Sequence, residues 1–101
     1  MKEINSEFFD EVVEDDGQKC LILFSRKTCP VCKKVHPKIE DLEDEFPDIP
    51  FYNVDVEENP GLQAKMRLKG VPHVILFDDG EAVSRLSGNH SEDEYADMLS
   101  E

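Results

Sequence analysis

The sequence predicts an α/β fold, with a central mixed sheet of four to five strands flanked by about four helices. Short apolar runs typical of buried strands alternate with longer helical patterns through the first two thirds of the chain. After Gly70, two strand-like runs flank the turn residues 78–80, which indicates an antiparallel hairpin. The alternation gives parallel neighbours and the hairpin adds an antiparallel pair, so the sheet is mixed. At 101 residues the chain is expected to form one domain, 1–101.

In the first half of the chain, Ser6 is expected to cap a helix that ends near residues 16–17. Cys20–Ser25 has the composition of a buried strand. A long helix starts at Pro30, and Pro37 within it predicts a kink, because its ring removes a backbone donor. The apolar stripe of this helix consists of Val31, Val35, Ile39, Leu42 and Phe46.

The second half begins with a predicted strand over 51–56 and a short helix over 60–66 that has proline at its start. The hairpin strands are 73–77 and 82–87. Ser91 is expected to cap a last helix, whose buried face carries Tyr95, Met98 and Leu99.

The composition excludes several function classes. The formal net charge is −13, which argues against binding to nucleic acid or to an anionic membrane surface. No apolar run approaches the roughly 18 residues that a membrane span requires. Three cysteines are an odd number, and no apolar segment stands at the N-terminus, so we expect a reducing cytoplasm rather than a secreted disulfide scaffold.

The positive charge is concentrated in one stretch. Residues 26–38, the basic segment, contain five cations and no acidic residue. Those beside the cysteine pair, Lys27 and Lys33, could favour a thiolate, whereas Lys34 and Lys38 are expected on the solvated face of the helix.

Cys29-Pro30-Val31-Cys32 lies at the predicted junction of a strand with the long helix. Unpaired N–H groups and the positive end of the helix dipole favour a thiolate there, and two cysteines three residues apart can switch between a dithiol and a disulfide. The segment therefore predicts a redox catalyst, although cysteine pairs with this spacing also bind zinc.

Four features together resemble the thioredoxin family over essentially the whole length. They are the strand running into the cysteine motif with Lys33, the helix proline Pro37, Asn59-Pro60 after the 51–56 strand, and Gly70-Val71-Pro72 before the 73–77 strand. The resemblance implies a thioredoxin fold and a protein-disulfide oxidoreductase without a bound cofactor. It also implies a monomer that acts on disulfide-containing proteins and is reduced by a thioredoxin-reductase-like electron donor.

The resemblance also implies roles for individual residues. Cys29, exposed at the helix N-terminus, attacks a substrate disulfide, and Cys32, one turn in and more buried, resolves the mixed disulfide. Pro72 follows a cis peptide bond, which leaves the backbone of Val71 free to pair with a substrate strand. The substrate surface further includes Pro30 and His73.

Several positions depart from the family pattern. Thr28 replaces the usual tryptophan, and Pro30-Val31 replaces Gly-Pro. The family's buried aspartate and its lysine partner would fall at Leu23 and Asn53, so both are absent. In the family that carboxylate is proposed to take the proton of the second cysteine, and this chain must use water or another group.

The three histidines and the third cysteine could have either a chemical role or an ordinary structural one. His73 either lies near the sulfur atoms, where it could stabilise a thiolate or relay a proton, or faces solvent. His36 is expected to be structural or exposed, and His90 to lie on the surface. Cys20 opens a buried strand and is expected to be a core residue.

Three other functions remain open. One is a metal-binding module that uses Cys29 and Cys32 with His73 or His36, or a cluster shared between two chains. Another is an interaction domain that works through its acidic face. The third is a glutaredoxin-like or oxidising thiol exchanger, since the direction of exchange depends on the redox potential.

Overall fold

The mixed sheet is confirmed in a computed structural model that describes residues 1–100. Helix α1 continues directly into a π-helical segment, Asp10–Asp15. The strands are β1 Lys2–Glu3, β2 Cys20–Ser25, β3 Phe51–Asp55, β4 His73–Asp78 and β5 Glu81–Ser87, and the helices are α1 Ser6–Phe9, α2 Pro30–Glu45, α3 Pro60–Lys65 and α4 Glu92–Leu99.

The strand order is β1-β3-β2-β4-β5. β3 lies parallel to both β1 and β2, whereas β4 is antiparallel to β2 and to β5. Because β2 and β3 are parallel neighbours, they end at the same edge of the sheet, with Ser25 opposite Asp55. Helix α2 begins at this edge, so the residues that follow both strands lie close to its first turn.

Each face of the sheet has its own apolar core. One core lies between the sheet and the α1, π-helical and α3 segments, and it includes Phe9, Phe24 and Ile75. The other lies under α2 and α4 and includes Leu23 and Ile39. The two faces follow from the strict alternation of side chains along β2 and β4.

Some local details differ from the sequence-based expectations. Asn5, not Ser6, caps α1, since its side chain accepts a hydrogen bond from the Phe8 N–H at 2.9 Å. Val31 was expected in the apolar stripe of α2 but is 40% exposed, because it lies in the first turn, beyond the sheet edge. Helix α2 runs without interruption through Pro37.

The hairpin turn is confirmed at Asp79 and Gly80, both with positive φ. Among residues 1–100, no helix is long and apolar enough to cross a membrane.

Candidate active site at the start of helix α2

Cys29 is the N-cap of α2. It has an extended backbone, and its Sγ accepts a hydrogen bond from the Cys32 N–H at 3.2 Å. Pro30 occupies the first helical turn, where its missing N–H costs nothing. A cap group that accepts from a helix N-terminus gains stability when it carries negative charge. The start of α2 therefore directs a backbone donor and the positive end of its dipole at this sulfur.

The two sulfurs differ more in their hydrogen bonding than in their burial. Cys29 is 7% exposed and Cys32 is 4% exposed, so the expectation of a plainly exposed first cysteine needs correction. Burial, followed by the neighbouring Cys29 thiol, raises the pKa of Cys32 to about 11, and Arg26 opposes this shift only in part. Cys32 is therefore a neutral thiol at neutral pH.

A loop 42 residues further along the chain closes over the first cysteine. The Val71-Pro72 peptide bond is cis, as expected. The Cys29 thiol lies 3.8 Å from the Val71 carbonyl oxygen, to which it can donate. The Gly88 N–H donates to the Pro72 carbonyl oxygen at 2.9 Å. The structure thus brings Cys29, Cys32, Val71 and Pro72 to one edge of the sheet.

His73 is the first residue of β4, opposite Phe24 on β2. Side-chain alternation puts it on the sheet face that α1 and α3 cover, since Phe24 and Ile75 pack in that core. Its Nε2 is buried without a hydrogen-bond partner among the described residues. Burial and, secondarily, the positive charge of Arg85 lower the pKa of His73. These surroundings favour a neutral imidazole and give no support to an imidazolium that stabilises a thiolate.

The basic segment is not isolated from acidic residues in the folded chain. Two glutamates that follow β3 meet it, with Glu58 accepting from Lys27 Nζ at 3.1 Å and Glu57 accepting from the Thr28 hydroxyl at 3.1 Å. Both pairs are exposed. The glutamates therefore offset part of the positive charge that the sequence places beside Cys29.

A solvent-accessible cavity of about 230 Å³ lies behind Cys32. The buried carboxylate of Asp55 and the neighbouring Arg26 line it, and sequence reasoning had singled out neither for the chemistry. The sequence did contain an indication of this pairing. Arg26 follows β2 and Asp55 ends β3, and the carboxyl ends of two parallel neighbouring strands lie at the same edge of the sheet. Nearby, Leu23 is fully buried and Asn53 accepts a hydrogen bond from the Ser25 hydroxyl at 2.8 Å.

Of the other sequence-based candidates, His36 lines this cavity, whereas His90 and Cys20 do not. His36 pairs with Glu40, and His90 pairs with Glu94, each at 2.9 Å. Burial raises the pKa of Cys20 to about 12, as expected for a core thiol. Within residues 1–100, no three histidine, cysteine or acidic side chains are grouped closely enough to hold a metal ion.

Comparisons with known proteins agree with this geometry. A family model described as Thioredoxin matches residues 1–101. The chain is 33% identical to a thioredoxin of Staphylococcus haemolyticus over 92 aligned residues. The aligned region covers 90% of this chain and 86% of that protein. It is 36% identical over 84 residues to the chloroplastic thioredoxin X of Arabidopsis thaliana, of which it spans 46%. The X-ray structure of Fasciola hepatica thioredoxin superposes with a TM-score of 0.88 at 25% identity, over 99% of this chain and 97% of that one. The chain therefore belongs to the thioredoxin family, whose members are thiol–disulfide oxidoreductases that act on proteins.

Proposed function

We propose that Cys29 and Cys32 form the redox pair that reduces protein disulfides, with Cys29 as the attacking thiol. The observation that carries this assignment is the hydrogen bond from the Cys32 N–H to Cys29 Sγ at the start of α2. It stabilises a thiolate on Cys29, whereas Cys32 lies behind with a pKa raised to about 11.

The reaction then has two displacement steps. The Cys29 thiolate attacks one sulfur of the substrate disulfide, forms a mixed disulfide and releases the first substrate thiolate. Cys32 loses its proton and attacks Cys29 Sγ, which releases the second substrate thiolate and leaves a Cys29–Cys32 disulfide. The two released thiolates take up protons, so the substrate gains two electrons and the protein loses two.

The substrate is proposed to bind as an extended segment beside Val71. This residue lies two positions before the first residue of β4, and its carbonyl oxygen lies 3.8 Å from the Cys29 sulfur. Backbone pairing at a strand end holds a peptide whatever its side chains are. Pro72 and the exposed Pro30 adjoin Val71 in the proposed contact surface, whereas His73, expected there from the sequence, has its side chain buried in the core.

A second protein, a thioredoxin-reductase-like electron donor, is proposed to return two electrons to the Cys29–Cys32 disulfide. We propose that the protein works as a monomer in a reducing compartment, the cytoplasm. Cys20 is a buried thiol that remains unpaired when Cys29 and Cys32 form the redox pair, and an unpaired cysteine is typical of a reducing compartment. Equilibration with glutathione buffers would measure the potential and hence the direction of exchange.

Trapping of mixed disulfides tests the roles of the two cysteines. Cys32→Ser should accumulate mixed disulfides with protein substrates, because the resolving thiol is missing, whereas Cys29→Ser should accumulate none. Non-reducing electrophoresis and mass spectrometry would identify the linked cysteine. Cys20→Ala, which puts no hydroxyl into the apolar core, is the matched control and should accumulate no more mixed disulfide than the wild type. Trapping by both variants, or by Cys29→Ser alone, would contradict the assignment.

A further inference from the structure

The resolving step needs a proton acceptor. Cys32 is a neutral thiol at neutral pH, since burial raises its pKa to about 11, and only its thiolate attacks the mixed disulfide. Leu23 stands on β2 where the thioredoxin family has its buried aspartate. Leu23 is fully buried and has no titratable group. The group that receives the Cys32 proton must therefore lie elsewhere.

Asp55 is placed to receive it. This carboxylate is 4% exposed, ends β3 and shares with Cys32 the cavity of about 230 Å³. Its Oδ1 accepts hydrogen bonds from the backbone N–H groups of Glu57 and Glu58, at 2.8 and 3.4 Å. No donor among residues 1–100 pairs with Oδ2, which is thus available to solvent in the cavity. A polar cavity of this size admits several water molecules.

The other charged groups of the cavity are less suited to accept a proton. Glu3 lies on the exposed two-residue strand β1. His36 is 42% exposed and its Nδ1 is hydrogen-bonded to Glu40, which leaves Nε2 as an acceptor, so His36→Gln is a second control and should leave resolution by Cys32 unchanged. Three further lining residues are cations whose side chains have no lone pair that could accept a proton: Arg26, Lys27 and Lys33. Arg26 instead favours the thiolate of Cys32, against the larger effect of burial.

We propose that Asp55 accepts, through water in this cavity, the proton that Cys32 loses when it resolves the mixed disulfide. The proton leaves Cys32 Sγ as that sulfur bonds to Cys29 Sγ, and the substrate sulfur departs with the electron pair of the broken bond. When the electron donor regenerates the dithiol, the proton returns to Cys32 along the same path. This assignment rests on the proposed function, because it concerns the second of the two displacement steps.

Asp55→Asn is the informative variant. Its side-chain oxygen can still accept from the Glu57 N–H, so the turn after β3 is retained, whereas the proton-accepting carboxylate is lost. Asp55→Glu restores a carboxylate, and Glu3→Gln removes the other carboxylate of the cavity as a matched control. Asp55→Ser, whose hydroxyl also accepts, serves if the asparagine variant does not fold.

The measurement is stopped-flow reduction of a symmetric aromatic disulfide whose released thiolate is coloured. Cys29 attack releases the first equivalent, and Cys32 resolution releases the second. At neutral pH, Asp55→Asn should slow only the second phase, by roughly 100-fold or more, since general base catalysis typically contributes about 10²- to 10⁴-fold. The deficit should shrink as the pH approaches the Cys32 pKa of about 11, where hydroxide removes the proton directly. Asp55→Glu should recover most of the rate and Glu3→Gln should retain it.

The possible failures are separable. A second phase unchanged by Asp55→Asn, or slowed by the same factor at every pH, would overturn the role of Asp55 and leave the two-step exchange intact. A second phase slowed by Glu3→Gln instead would also overturn it. A wild-type protein that releases neither equivalent would contradict the proposed function itself.

Discussion

At the scale of single residues, three cysteines have three different surroundings. Cys20 is fully buried within β2 and its pKa is raised to about 12, whereas Cys29 caps a helix N-terminus. We expect an alkylating reagent at about pH 8 to modify Cys29 first and to leave Cys20 unmodified until the chain unfolds. Mass spectrometry of the folded and urea-unfolded protein would read this out. Early modification of Cys20 in the folded protein would contradict its assignment as a core thiol.

Two histidines should affect stability in opposite directions as the pH changes. Burial, followed by Arg85, lowers the pKa of His73 below its ordinary value of 6.5, so the unfolded chain binds this proton more readily than the folded chain. The stability that neutral His73 provides is complete above about pH 6.5 and is lost as the pH falls through the lowered pKa. His73→Val should therefore lose less stability than the wild type between neutral and mildly acidic pH.

His90 supplies the opposing control. The hydrogen bond with Glu94, followed by that with the Ser87 carbonyl, raises the pKa of His90. Its contribution is complete below about pH 6.5 and is lost as the pH rises through the raised value, so His90→Gln should lose more stability than the wild type on acidification. Urea unfolding of the wild type, His73→Val and His90→Gln between neutral and mildly acidic pH would show how the free energy of unfolding of each protein changes with pH. Equal slopes for wild type and His73→Val would refute the effect of burial on His73.

At the scale of elements, helix α4 depends on its first turn. The Ser91 hydroxyl accepts from the Glu94 N–H at 3.2 Å, and the Glu94 carboxylate accepts from the Ser91 N–H at 3.2 Å. Ser91→Ala should lower the free energy of unfolding by about 1 kcal/mol, because the Glu94 N–H loses its side-chain acceptor. Urea denaturation measures this, with the exposed strand residue Ser87→Ala as a control that should change little. An equal loss in both variants would exclude a specific capping effect.

Most elements could be predicted from local patterns, and the failures have local causes as well. Cys20–Ser25 and the α2 stripe have the strand composition and helical period that determine their structure. Val31 fits the period of the stripe but lies in the first turn, beyond the sheet edge, so it is 40% exposed. Two-residue β1 is too short to show an alternation of its own and forms because β3 offers a free edge.

At the scale of the whole molecule, net charge should reduce stability at low ionic strength. The chain carries a formal charge of −13, and like charges repel more strongly in the compact state than in the unfolded chain. The urea midpoint should rise when sodium chloride increases from about 10 mM to 0.15 M, since the Debye length falls from roughly 30 to 8 Å. Near the isoelectric point of about 4.5 the same addition should have a much smaller effect. A midpoint that salt does not raise at neutral pH would contradict this expectation.

The site could be predicted only in part, because part of it depends on long-range packing. The two cysteines lie within one helical turn, so their spacing alone predicts the redox pair. The cavity wall comes instead from different strands, with Asp55 brought to Cys32 by the pairing of β2 with β3. The orientation of His73 follows from alternation with Ile75, a signal present in the sequence that the functional interpretation did not use.

The hydrogen bond from Gly88 to Pro72 limits how a substrate can be held. The Pro72 carbonyl oxygen already accepts from Gly88 at 2.9 Å and His73 is already paired with Phe24 of β2, so an incoming strand that pairs at Val71 finds the backbone of the next two residues engaged within the sheet. Gly88 maintains this bond with a φ of +88°, a conformation that side chains disfavour. A bound segment would have to turn away after one residue of pairing. Such a complex would be tolerant of substrate sequence and short-lived, so that the reduced protein leaves soon after its disulfide is broken.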